Sequence, residues 1–149
     1  MIQRPRASKT IDQISVGDEI RVPYSVSAAD VETFAELSGD WNPLHFDDEY
    51  AATTIFGRRV AHGMISLAKF SGIFGMDLPG LGTLWQSQSV EFLKPVFLDQ
   101  PYTAVAKVTN KQRRRVEIDT WVEDAKGDRV ITGTAVVVPP RVAIAHTSK

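Results

Sequence analysis

The side chains best able to do chemistry cluster in one short stretch, Asp40-Trp41-Asn42-Pro43-Leu44-His45, with His62-Gly63-Met64 following downstream. A carboxylate and an imidazole five residues apart, in a turn locked by Pro43, can converge on one small volume. Imidazole exchanges protons near neutral pH, and a neighbouring carboxylate can fix its tautomer or hold a shared water. Together the two could position water for addition to an activated double bond. Gly63 adds a third element, because a helix is expected to begin there. The first N–H groups of a helix have no internal partner, and the helix dipole adds positive potential. With no Cβ, Gly63 lets a carbonyl approach closely, and its N–H could stabilise charge developing on that oxygen. Losing such a donor costs ~2.7–4 kcal/mol of barrier. Singly, each piece has a plainer role: Asp40 as a turn residue, His45 as a structural hydrogen-bonding group, His62-Gly63 as a helix cap.

Other signals are weaker. His62 is expected to hold the loop by hydrogen bonding. A His45/His62 metal pair lacks a third ligand pattern. Arg58-Arg59 suits phosphates or a solvated loop equally, and Lys111–Arg115 reads as a charged hairpin turn. Trp41 suits either the floor of a pocket beside the Pro43 turn or packing on the first helix. Phe70, Ile73, Phe74 and Met76 read as core, with some able to line a tunnel. Trp85 and Trp121, in expected strands, could pack at an interface between copies. No Gly-x-Ser-x-Gly elbow occurs, and Ser66 and Ser71 fall within a helix, which disfavours a serine nucleophile. No glycine-rich nucleotide loop is present.

The elements that must position these residues follow from patterning. Glu19–Val26 alternates as a half-buried strand. Ser27 and Asp30 form a capping box for a helix that Gly39 ends. Pro43 forbids continuation, so Asp40–His45 must be an ordered turn. Asp47 or Asp48 caps a short helix running to about Thr53. Gly63–Phe74 is apolar nearly all round, which predicts a helix wrapped by protein. Asp77–Gly82 reads as loop, and Thr83–Leu93 as one long strand interrupted at Lys94-Pro95-Val96. Strands at Pro101–Lys111, Val116–Glu123 and Arg129–Val138 follow, with a turn at Ala125–Asp128. One greasy helix and one long antiparallel sheet give an α+β fold, the sheet curled around the helix.

The 149 residues suit one domain. Residues 1–10 are expected as a flexible arm, 11–140 as the domain and 141–149 as a flexible tail. Seventeen basic and eighteen acidic residues leave no charge excess to draw nucleic acid. No cysteine is present, which excludes disulfides, thiolate nucleophiles and cysteine metal sites. No apolar run is long enough for a membrane span, and a cytoplasmic location is the expectation.

Leu37-Ser38-Gly39-Asp40-Trp41-Asn42-Pro43-Leu44-His45 and Val60-Ala61-His62-Gly63-Met64 resemble the MaoC-like hydratases, the (R)-specific enoyl-CoA hydratases. Val90–Asp99 looks like that family's strand after the helix, and the likeness spans about Ile11 to Pro140. The resemblance implies a hot-dog fold and a homodimer with acyl tunnels near the interface. It puts the catalytic pair at Asp40 and His45, the oxyanion amide at Gly63 and a supporting serine at Ser71. The implied reaction is reversible syn hydration of a trans-2-enoyl-CoA, or a carrier-protein thioester, to the (R)-3-hydroxyacyl product. No cofactor or metal is needed, since the thioester already activates the alkene. A hot-dog thioesterase and a non-catalytic acyl-CoA-binding subunit are the alternatives. Chain length, CoA against acyl carrier protein, and pathway (polyester precursors, fatty-acid oxidation or synthesis, or a short dicarboxylic acyl-CoA) stay open.

Overall fold

Six antiparallel strands curl around one helix in this computed structural model, which describes residues 6–146. Glu19–Tyr24 (β2) pairs with Tyr102–Gln112 (β5), followed across the sheet by Arg115–Glu123 (β6), Arg129–Val138 (β7) and Leu84–Gln88 (β3); Glu91–Phe92 (β4) also pairs with β7. A separate two-residue ladder joins Arg6–Ala7 (β1) to Ala145–His146 (β8).

Local rules build the helical half. Ser27 Oγ accepts the Asp30 N–H and the Asp30 carboxylate accepts the Ser27 N–H at 2.8 Å, so Ala28–Ser38 (α1) starts on the expected capping box. Gly39 closes it in the left-handed region at φ 78°. Asp47 caps Asp48–Ala52 (α2). Gly63–Met76 (α3) runs two residues longer than expected. Its Phe70, Ile73 and Phe74 are buried with Ala104, Ala106, Ile118, Val122 and Ala135 of the sheet. Small residues on β5 and β7 let the sheet approach the bulky side chains of the helix.

The sequence expectations need three corrections here. The helix α3 is not wrapped on every side, because Met64, Ala68, Ser71 and Gly72 are exposed; the sheet of one chain covers only part of its circumference. The strand expected over Thr83–Leu93 breaks at Ser89-Val90 rather than at Lys94-Pro95. A bulge lies between Trp85 and Ser87, and Thr134 of β7 donates its N–H to Ser89 Oγ while its carbonyl accepts the Ser89 N–H. The neighbouring Gly133 has no Cβ where the Ser89 carbonyl presses in. The described parts of the two ends are tied together rather than loose. Ser8 and Ile144 exchange backbone and hydroxyl hydrogen bonds, and the Lys9 N–H donates to the Pro79 carbonyl at 2.8 Å. The expectations for residues 1–5 and 147–149 lie outside the described residues. No helix among the described residues is long and apolar enough to cross a membrane.

Candidate active site

The loop after α1 is built by its own short polar side chains. Asp40 Oδ1 accepts the Asn42 N–H at 3.2 Å, and Asn42 Oδ1 accepts the Leu44 N–H at 3.1 Å. Pro43, already set in φ, opens a 3-10 turn over Pro43–His45. That turn carries His45 inward until it is only 8% exposed. Arg59 Nε donates to the His45 carbonyl at 2.8 Å, pinning the turn from the segment that leads into α3.

The hydrogen bonds assign the two imidazoles opposite tautomers. His45 Nδ1 lies 2.7 Å from the Val60 carbonyl oxygen, and a carbonyl only accepts, so Nδ1 carries the proton. In neutral His45 the bare nitrogen is therefore Nε2, and it faces Asp40 Oδ2 at 3.7 Å. His62 is the reverse: its Nε2 donates to the Asp40 main-chain carbonyl at 2.9 Å. It has no lone pair on the side of the carboxylate and cannot serve there as a base. The rings stack with centroids 3.7 Å apart, so His62 also supports the flat face of His45. Asp40 Oδ1 is committed to its own turn, leaving Oδ2 free to face the imidazole. The 3.7 Å gap exceeds a direct hydrogen bond. The Asp40 side chain is half exposed, so water has access.

Asp40, His45, His62 and Gly63 line one cavity of about 270 Å³ with Phe34, Met64, Phe92, Lys94, Val96 and Ile131. Gly63 opens α3, where backbone N–H groups lack helical partners. A Cβ on Gly63 would meet the Phe92 ring, 2.7 Å from Cδ1, so the glycine lets that ring sit against the start of the helix. A larger hollow of about 490 Å³ along Gln112–Arg115 holds no acid–imidazole pair.

The structure thus brings Asp40, His45 and Gly63 together, whereas Ser71 does not line this cavity. Ser71 sits about 12 Å further along the helix axis, on the exposed strip with Met64 and Ala68. Trp41 does not line the cavity; it stacks on Phe46 at 5.1 Å and is 52% exposed. Trp121 is buried, and Trp85 meets Phe74 edge-on. Lys111–Gln112 and Arg115 flank a hairpin turn, and Lys111 Nζ donates to the Ile11 and Ile14 carbonyls. Sequence reasoning missed Phe34, Phe92 and Lys94 as cavity walls. Phe34 lies three residues from Val31 on one face of α1; Phe92 and Lys94 come to the cavity from the far side of the β3–β4 break, partly exposed.

The ligand atoms of Asp40, His45 and His62 all lie within 4.8 Å of one another, so Asp40 supplies the third metal-ligand candidate that the sequence pattern did not show. The set suits a metal poorly. Stacked rings send their in-plane lone pairs side by side rather than to one point, and His62 Nε2 is already committed to a carbonyl.

A family model described as a MaoC like domain matches residues 12–128. An (R)-specific enoyl-CoA hydratase of Aeromonas caviae is 40% identical over 129 residues, covering 85% of this chain and 96% of that protein. A protein of the same name from Rhodospirillum rubrum is 37% identical over 131 residues, covering 87% and 90%. The solved R-hydratase PhaJ1 of Pseudomonas aeruginosa, in its unliganded form, superposes with a TM-score of 0.91 at 33% identity, covering 98% of this chain and 95% of that one.

Proposed function

The chain belongs to the MaoC-like family and has its hot-dog fold, and from that premise we propose that it is an (R)-specific enoyl-CoA hydratase, a hydro-lyase adding water reversibly to trans-2-enoyl-CoA thioesters. The carrying observation is the pairing of Asp40 Oδ2 with the bare Nε2 of His45, 3.7 Å apart, in one cavity with Gly63. In this reading a water bridges the two. His45 Nε2 takes its proton as the oxygen attacks C3, while Asp40 Oδ2 holds the second O–H. The imidazolium then returns a proton to C2 on the same face, giving the syn (R)-3-hydroxy product. The Gly63 N–H binds the thioester oxygen and stabilises the enolate-like charge. Ser71 has no part in this reading of one chain.

The protein acts as a homodimer in this reading. Strand β3 has an open edge, and Leu84, Trp85, Phe92, Leu93 and Met64 are exposed beside it. An unpaired strand with exposed apolar side chains invites a second copy. The strip carrying Ser71 adjoins this face, so a partner would cover it.

Hydration of crotonyl-CoA, followed by loss of the enoyl absorbance with chiral analysis of product, tests the reading. Asp40→Ala or His45→Ala should each lower turnover by at least ~10²-fold without loss of fold. Near wild-type turnover in either variant would refute the assignment. Release of free CoA thiol in step with substrate loss would indicate a thioesterase instead.

A further inference from the structure

The segment entering α3 carries two adjacent arginines with different fates. Arg58 is exposed, its guanidinium 3.7 Å over the Phe97 ring. Arg59 is half-buried and turns the other way, its Nε donating to the His45 carbonyl at 2.8 Å. Among the described residues that carbonyl has no other donor. The turn itself supplies none, because the Phe46 and Asp47 N–H groups both return to the Pro43 carbonyl.

The same segment is stitched to the catalytic turn by two further bonds. The Val60 N–H donates to the Leu44 carbonyl at 3.4 Å, and His45 Nδ1–H donates to the Val60 carbonyl at 2.7 Å. The first is long and the second belongs to the imidazole. Arg59 therefore supplies the short, charge-assisted hold on the His45 main chain. On its other side the segment is fixed to Val96-Phe97: Val60 bridges Phe97, and the Ala61 N–H donates to the Val96 carbonyl at 2.7 Å. Gly63 follows four residues after Arg59. One short piece of chain thus ties the acid–imidazole pair to the amide at the start of α3. Without a donor, the His45 carbonyl gains by rotating toward water. The buried imidazole would turn with it, and Nε2 would lose its aim at Asp40 Oδ2.

We propose that Arg59 is a positioning residue for hydration: through the main chain of His45 it fixes the line from Nε2 to Asp40 Oδ2 and the distance of that pair from Gly63. Arg59 does not line the catalytic cavity, so it acts through His45 and not on the substrate. The proposal rests on the hydratase reading and adds a residue outside the cavity on which the turnover depends.

Three variants separate the hydrogen bond from charge and bulk. Arg59→Gln puts an amide N–H at the same atom as Nε, without the charge. Arg59→Met keeps the length alone. Arg59→Lys keeps the charge but moves the donor one atom further out. With crotonyl-CoA, Arg59→Gln should retain most of kcat, Arg59→Met should lose about ten- to a hundredfold, and Arg59→Lys should fall between them. KM should hold throughout, and crotonyl-pantetheine, which lacks phosphate, should show the same kcat order. The chain has three histidines, so ¹⁵N spectra of the labelled imidazoles give a second readout. His45 should stay protonated at Nδ1 in wild type and Arg59→Gln and show mixed tautomers in Arg59→Met. Equal kcat in Arg59→Gln and Arg59→Met overturns the proposal. So does Arg59→Lys at or above Arg59→Gln, a ranking that decides even where Arg59→Met does not fold. A rise in KM confined to crotonyl-CoA also overturns it, since Arg59 would then be a ligand contact. Wild type inactive on both thioesters would be a failure of the hydratase reading, and the imidazole spectra would still decide whether Arg59 sets His45.

Discussion

At the scale of single residues the site depends on which nitrogen holds a proton. His45 and His62 lie face to face, yet the Val60 and Asp40 carbonyls leave only His45 with a lone pair toward the carboxylate. His62 is thus a positioning residue for Asp40. Its amide analogue should distinguish this from simple packing. His62→Gln keeps a donor for the Asp40 carbonyl and should stay within about tenfold of wild-type kcat. His62→Leu keeps bulk alone and should lose about a hundredfold, since small misplacement of a reacting group is costly. Similar kcat in the two variants would show that the hydrogen bond is irrelevant. The candidate pair Asp40 and His45 was legible in the sequence because a proline-locked turn with short polar side chains leaves few conformations open. The opposite tautomers were not, because they depend on the carbonyls of Val60 and Asp40, set by chain folding across long separations.

At the scale of elements, a buried polar contact helps link β2 to α3. Tyr24 donates its hydroxyl to Ser66 Oγ at 2.6 Å, and Ser66 is fully buried. Burial pushes the Tyr24 phenol up to about 12, with the Ser66 hydrogen bond opposing and Tyr102 adding to the rise. The phenol of the unfolded chain ionises near ~10, so the folded state favours the protonated form. The resulting stability is fully present below pH ~10 and is lost as pH rises toward about 12. Tyr24→Phe should cost about 1–3 kcal/mol at neutral pH by stranding Ser66. The gap between wild type and variant in urea midpoint should then narrow through that alkaline window. A constant gap would show that Tyr24 does not titrate with folding. Sequence patterning found the β2 strand, the α1 capping box and the β7 strand, all set by local rules. It ran Thr83–Leu93 as one strand because the break at Ser89 answers to Gly133 and Thr134, more than forty residues away.

At the scale of the whole molecule, the open β3 edge and the exposed strip of α3 share one side. Leu84, on that edge, is 66% exposed in one chain. Light scattering should give a dimer for wild type, and Leu84→Glu should shift it toward monomer with loss of activity at low protein concentration. A monomeric, fully active wild type would refute the dimer. The all-round greasiness of α3 announced in the sequence that something must cover it, but patterning alone could not divide that cover between the sheet of the same chain and a second copy.

The stitch between Ser8 and Ile144 has a practical consequence. It brings the described ends of the chain side by side and fastens both to the Pro79-Gly80 corner where α3 finishes. A short peptide could therefore join the two ends, and fresh ones could be opened at Lys126-Gly127, giving a permuted chain with the catalytic loop undisturbed. Trimming back past Ser8 or Ile144 would instead unlatch the foot of the central helix.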